Sequence, residues 1–391
     1  MNEQRLAAAR RAAERSNIAS FMVMDVMAAA ARREKAGHPV VHLEVGQPGT
    51  SAPRAARDAA KRAIDSGSLG YTLALGMPAL RERIAVHYAE TYGISVAPER
   101  IVITSGSSAG FVLAFLALFD AGDRVALPSP GYPCYRNILN ALGQDYATIE
   151  TSSVTRWMPT VEQLISAGDV RGLLLASPNN PTGTMIEPER LEAIARHCDN
   201  TGKWLISDEI YHGLTYDQPA TTALSYSNDA VIIHSFSKYF SMTGWRVGWM
   251  VVPETLLPTF EKLAQNLYIC APAISQAAAL GAFDGKEELE ANVEVYRANR
   301  ELLLSGLPAV GLSDLVPADG AFYLYADVGA YTNDSLAFSR AMLDETGVAA
   351  TSGFDFDETR GSRYMRFSYA GSTTDIHDAL ERLAKWQRLR G

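Results

Sequence analysis

The chain has 391 residues, 47% of them hydrophobic and 20% charged, with a net charge of −9. That length holds one large domain and a smaller one, and the composition is that of an ordinary globular protein. The acidic balance and the lack of a basic block argue against a nucleic-acid-binding surface.

Residues 1–17 are charged and helical in pattern, without the apolar core of a signal peptide. Residues 21–31 are apolar but interrupted by Asp25 and too short to span a membrane. No targeting segment is expected. Ile101-Val102-Ile103-Thr104 reads as a strand, residues 111–119 as a buried helix, and Arg124-Val125-Ala126-Leu127 as the next strand. Leu173-Leu174-Leu175-Ala176 and Trp204-Leu205-Ile206-Ser207 follow as strands, with a helix over residues 188–198 between them and Pro188 near its first turn. Val231-Ile232-Ile233-His234 and residues 247–251 complete the set. Continuous apolar strands between helices imply a mostly parallel sheet covered on both faces. Past residue 281 the pattern changes. A charged helix over 286–304 leads to an alternating strand, Gly320-Ala321-Phe322-Tyr323-Leu324-Tyr325. Helices over 335–346 and 374–389 then flank a strand at 364–369. The expected division is a large domain over 46–280 and a small α/β domain over 281–391, with segment 1–45 packing on the latter. Cys134, Cys198 and Cys270 form no metal or disulfide pattern, so reduced thiols in a cytoplasm are expected.

Ligands of such sheets gather at the carboxyl ends of the strands. Five polar clusters fall there: Ser105-Gly106-Ser107-Ser108, Ser129-Pro130-Gly131-Tyr132, Ser177-Pro178-Asn179-Asn180-Pro181, Asp208-Glu209 and Ser235-Phe236-Ser237-Lys238. A lone lysine is usually a surface charge. Lys238, however, is followed eight positions on by Arg246, and a neighbouring cation or burial turns an amine into a covalent catalyst. Gly106-Ser107-Ser108 opens a helix after a strand, where free N–H groups hold anions, although an ordinary serine cap has the same pattern. Ser235, Ser237 and Arg246 add donors for a phosphate. A carboxylate at Asp208 can pair with a pyridine nitrogen, or it is a cap or an ion pair. Tyr211 and Asn180 can donate to a ring oxygen, although Asn-Pro-Thr-Gly is also turn chemistry. Tyr132 can stack on a flat ring or cover core. Together these groups suggest pyridoxal 5'-phosphate, held at its aldehyde by Lys238 and at its phosphate by Arg246.

In order and spacing, these segments resemble a fold-type I pyridoxal phosphate enzyme of the class I/II aminotransferases, the aspartate aminotransferase family. Val45-Gly46-Gln47-Pro48, Gly70-Tyr71-Thr72 and Met365-Arg366-Phe367 extend the match from about residue 46 to residue 366. The resemblance implies a mostly parallel seven-stranded sheet and transamination between an L-amino acid and a 2-oxo acid. It implies a Schiff base at Lys238, which also shuttles the Cα proton. Asp208 would pair with the ring nitrogen, and Asn180 and Tyr211 would hold the ring oxygen. Gly106, Ser107, Ser108, Ser235, Ser237 and Arg246 would take the phosphate. Arg366 would bind the α-carboxylate, with Asn180 and the Gly46 backbone assisting. Tyr71 would reach the phosphate of a neighbouring subunit, making the active unit a homodimer with shared sites. No metal is implied.

Two departures bear on substrate. Relatives that take acidic substrates carry a lysine where this chain has Ser108 or Ala109, and the acidic residue that usually follows Gly46 is Gln47 here. The same scaffold supports C–S lysis and other eliminations. A regulator with an aminotransferase-like sensor is the third reading, but only about 40 residues precede Val45, and they lack the length and basicity of a DNA-binding domain.

Overall fold

The apolar runs become strands of one central sheet in the computed structural model, which describes residues 12–67 and 69–389. The strands in chain order are β1 (Val41–His42), β2 (Ile101–Thr104), β3 (Arg124–Ser129), β4 (Asp145–Glu150), β5 (Gly172–Ala176) and β6 (Trp204–Asp208). β7 (Val231–Ser235), β8 (Gly248–Val251), β9 (Tyr323–Asp327), β10 (Val348–Ala349), β11 (Thr351–Ser352) and β12 (Tyr364–Ser368) follow. Seven of them form the sheet, in the order β2-β8-β7-β6-β5-β3-β4. β2, β5, β7 and β8 are buried along their whole length, which is why they read as unbroken apolar runs. The expected seven-stranded, mostly parallel sheet with helices around it is present.

β8 is the exception to parallel pairing. It runs antiparallel to both neighbours, with Gly248 opposite Thr104 of β2 and Ser235 of β7. Its first residue therefore lies level with the carboxyl ends of those strands. That reversal brings the preceding Arg246 to the edge where the polar clusters collect.

Several boundaries differ from the sequence reading. The helix expected over 111–119 begins earlier, at Ser107–Leu118. The charged helix runs longer, over Lys286–Ala309. β4 was not expected. Its sequence, Asp-Tyr-Ala-Thr-Ile-Glu, alternates exposed and buried positions at the sheet edge and lacks a continuous apolar run. The strand placed at 320–325 is β9 instead, and it does not alternate: its first four residues are buried. β9 is the edge of a three-stranded sheet, order β11-β12-β9, whose two faces are both covered. The helical start expected for residues 1–17 lies largely outside the described residues; Glu14–Ser16 forms one 3-10 turn.

β1 pairs in parallel with β10, tying the N-terminal segment to the C-terminal part of the chain. Helix Met22–Lys35 packs near that junction, and Val23 sits among Trp157, Val316, Tyr325 and Phe356. Among the described residues, no helix is long and apolar enough to cross a membrane.

Helices Arg54–Asp65 and Ala273–Ala282 approach closely because alanine and glycine line their contact. A Cβ at Gly281 would come within 2.6 Å of Ala59 Cβ and 2.8 Å of the Ala55 carbonyl oxygen. Gly281→Val should therefore destabilise the protein by about 1–3 kcal/mol through overpacking. The check is a lower urea midpoint with an unchanged slope; an unchanged midpoint would show that the two helices separate freely.

Candidate active site

The carboxyl ends of β2, β6 and β7 and the start of β8 surround a cavity of about 250 Å³. Its lining combines groups from both ends of the chain. Gly46, Ser107, Ser108, Tyr132, Asn180, Tyr211, Ser237, Lys238, Arg246 and Arg366 all face it, as do Phe21, Met24 and Met27. Residues separated by more than 300 positions thus meet at one place.

Lys238 reaches in from the turn after β7. Its Nζ donates to the Gly46 carbonyl at 2.7 Å. Burial pushes this amine down to about 8, with Arg366 and Arg246 adding repulsion and Asp208 opposing them. Roughly half of the amine is therefore neutral near pH 8. Gly46 is glycine for a steric reason: a Cβ there would overlap the Tyr323 hydroxyl at 1.6 Å.

Asp208 ends β6 and is 2% exposed. One carboxylate oxygen accepts from the Tyr135 hydroxyl and the other from the Ile210 amide at 3.1 Å. Burial raises its carboxyl to about 6, against the pull of those two bonds and of Lys238. Behind it, Glu209 accepts from Ser207 Oγ, Thr222 Oγ1 and the Ala223 amide, which anchors the strand end.

The anion side is built around Gly106. Its φ of +77° suits glycine, and a Cβ would lie 2.4 Å from Arg246 Nη2. The missing side chain lets the guanidinium lie against the first turn of helix Ser107–Leu118. Arg246 donates to the Thr243 carbonyl at 3.0 Å and to Ser237 Oγ at 3.5 Å. Ser235 is placed differently from the other candidates. It is fully buried and donates to Ser237 Oγ at 2.9 Å, standing behind the lining rather than in it.

Arg366 lies on β12, and its guanidinium is held between the rings of Tyr323 and Phe356, at 4.3 and 4.7 Å. It donates to Asn180 Oδ1 at 2.8 Å and to the Glu44 carbonyl at 2.5 Å. Its buried Nε–H has no partner among the described residues, as expected of a donor kept for a carboxylate. Tyr211 shares a 2.8 Å hydroxyl bond with Tyr323. Tyr132 packs edge-on against Tyr135 and Phe21.

A buried amine, a buried carboxylate, a glycine-bounded cationic cradle and a clamped guanidinium with an unused Nε–H fit pyridoxal 5'-phosphate and an amino-acid carboxylate. Tyr71 is the one candidate far from this cavity: it is 83% exposed and lines a separate surface hollow. Sequence reasoning missed Tyr135, Tyr323 and the part of the wall made by Met24 and Met27. Tyr135 was findable, because it follows Tyr132 by three residues at the start of a helix and so shares its side of the turn. Met24 and Met27 had no local signal.

A cation that the folded state disfavours costs stability while it stays protonated. For Lys238 the folded value, about 8, lies below the ordinary 10.5. The cost is fully present below about pH 8 and fades as pH rises toward 10.5. Cofactor-free Lys238→Met should therefore melt higher than cofactor-free wild type at pH 7, with the gap closing between pH 8 and 10.5. A gap independent of pH would contradict the burial of a charged amine.

Comparison with known proteins follows the same lines. Residues 38–383 match the family model described as aminotransferase class I and II. The chain is 49% identical over 381 residues to the valine–pyruvate aminotransferase of Mycobacterium tuberculosis, covering 96% of this chain and 98% of the relative. It is 33% identical to the aspartate/prephenate aminotransferase of Thermus thermophilus, covering 92% and 94%. The crystal structure of an aminotransferase from Mycobacterium tuberculosis superposes with a TM-score of 0.95 at 49% identity, over 96% of this chain and 99% of that one.

Proposed function

The chain belongs to the class I and II aminotransferases, and from that premise we propose that it moves an amino group between an aliphatic L-amino acid and a small 2-oxo acid, with pyridoxal 5'-phosphate held at Lys238. The observation that carries this reading is the Lys238 amine, depressed to about 8 beside the Arg246 cradle and the Arg366 fork within one cavity.

When bound, the cofactor supplies an electron-withdrawing ring that lets the substrate Cα–H bond ionise. The chain's own groups do the rest. Arg246, Ser107, Ser108 and Ser237 would hold the phosphate, with Gly106 giving the guanidinium room. Asp208, ionised above about pH 6, is the carboxylate for a protonated ring nitrogen, and Tyr135 and the Ile210 amide keep it aimed. Tyr211 and Asn180 are donors for the ring oxygen. Arg366 takes the α-carboxylate in a two-bond fork, already oriented by Asn180 and the Glu44 carbonyl. The neutral fraction of Lys238 accepts the Cα proton at Nζ and can hand it on without leaving the cavity. The rings of Tyr132 and Phe21, packed edge-on, give the cavity an apolar side.

Two features support an aliphatic substrate. Among the described residues the cations that line the cavity are Lys238, Arg246 and Arg366, each already assigned, which leaves none of them for a side-chain carboxylate. The far wall is Phe21, Val23, Met24 and Met27, and methionine adapts to apolar shapes. The 49% identical relative is named for valine and pyruvate. A homodimer is supported by the exposed apolar side chains of Leu69, Tyr71 and Leu73, close together in the chain, which are more than a lone surface residue would explain. Unpaired Cys134, Cys198 and Cys270 support a cytoplasmic setting.

The test is a panel of L-amino acids with pyruvate, reading both products. Valine, leucine or methionine should yield alanine and the matching 2-oxo acid. Release of ammonia without alanine would replace transamination by elimination. Arg366→Ala should lower kcat/KM by about 100-fold or more, since it leaves a buried carboxylate without its partner; a change within threefold would remove Arg366 from the site. Gly106→Ala should weaken binding of pyridoxal phosphate but not of pyridoxal, and equal weakening would show that Arg246 does not serve the phosphate.

A further inference from the structure

The wall that faces the substrate side chain is one face of a helix, and that helix is not held by its own sequence. Phe21, Met24 and Met27 are spaced by three, so they form one stripe along the first turns of Met22–Lys35. Phe21 stands at the N-cap position and makes no side-chain cap bond. The first amides of a helix need acceptors from elsewhere. They find one more than 330 positions away: Asp355 accepts from the Met22 amide at 3.3 Å through Oδ1 and from the Val23 amide at 3.2 Å through Oδ2.

Asp355 is itself 2% exposed and firmly placed. It closes the 3-10 turn Gly353–Asp355, and its carbonyl accepts from Arg136 Nη2 at 2.9 Å. The next residue, Phe356, is the ring that lies 4.7 Å from the Arg366 guanidinium. One short turn therefore supports the group for the α-carboxylate on one side and the start of the side-chain wall on the other. A carboxylate at a helix start also matches the partial positive charge there.

We propose that Asp355 is a positioning residue for side-chain specificity: it fixes the distance between Arg366 and the Phe21–Met24–Met27 wall, and so the length of aliphatic side chain the site accepts. The inference rests on the reading that the cavity binds an amino acid by its carboxylate at Arg366. Without both acceptor oxygens, the Met22 and Val23 amides lose their partners and the wall is no longer held against the cavity. A small substrate that does not reach the wall is little affected. A long one loses its contacts.

The experiment compares Asp355→Ala and Asp355→Asn with wild type across alanine, valine, leucine and methionine. Asp355→Ala should lower kcat/KM for leucine and methionine by about tenfold or more, mainly through KM, and for alanine by less than about threefold. Asp355→Asn keeps one acceptor and turns an amide toward the other N–H, so it should fall between the two. Met24→Ala, at a position 55% exposed and harmless to the core, should show the same dependence on substrate length. Combined with Asp355→Ala it should add little, because the wall is already loosened. Independently of turnover, amide hydrogen exchange at Met22 and Val23 should speed up in cofactor-free Asp355→Ala. Losses equal across the four substrates, full additivity with Met24→Ala, or unchanged exchange at these amides would overturn the proposal. A wild-type protein that transaminates none of the four would instead remove the reading beneath it.

Discussion

Everything in the site depends on keeping an amine both buried and reactive. Burial disfavours the charged form of Lys238, and Arg366 and Arg246 nearby add to this; Asp208 supplies the opposing charge and limits the effect. The arginines serve both purposes. Their positive charge lowers the lysine, and their guanidinium geometry suits them to hold the two anionic ends of the bound partners. A site with one arginine fewer would lose an anchor and raise the amine toward its ordinary value.

The fold makes this possible through one reversed strand. Parallel strands alone would deliver Asp208 and Lys238 to the edge, from the ends of β6 and β7. β8 runs the other way, so the residues preceding it arrive at the same edge and bring Arg246 against Gly106. The opposite anchor comes from β12 in the smaller sheet, where Tyr323 and Phe356 clamp Arg366 between their rings. The cavity therefore lies between two sheets, with the first turns of helix Met22–Lys35 as its remaining wall. The turn holding Phe356 and Asp355 touches both the Arg366 guanidinium and the start of that helix.

Much of this was legible in the sequence for a physical reason. Buried parallel strands need unbroken apolar runs, and ligand-binding residues follow them directly, so Asp208, Lys238 and the Gly106 turn could be placed by local pattern. Arg366 and Tyr71 were identifiable only by resemblance, because nothing near them in the chain announces a carboxylate or a partner subunit. β4 was missed because an edge strand with one wet face carries few apolar residues. Met24 and Asp355 were invisible for a different reason. Their meeting depends on how a helix near one terminus docks on a turn near the other, and no local spacing encodes that. Tyr135 lies between these cases: its helical spacing from Tyr132 was readable, but its bond to Asp208 was not.

Reductive trapping reads the buried amine itself. The protein is mixed with pyridoxal 5'-phosphate, treated with borohydride, digested and mapped by mass. The account predicts a single phosphopyridoxyl mark, on Lys238, whose yield rises with pH around 8 as the buried amine loses its proton. A mark spread over surface lysines, or none on Lys238, would contradict it.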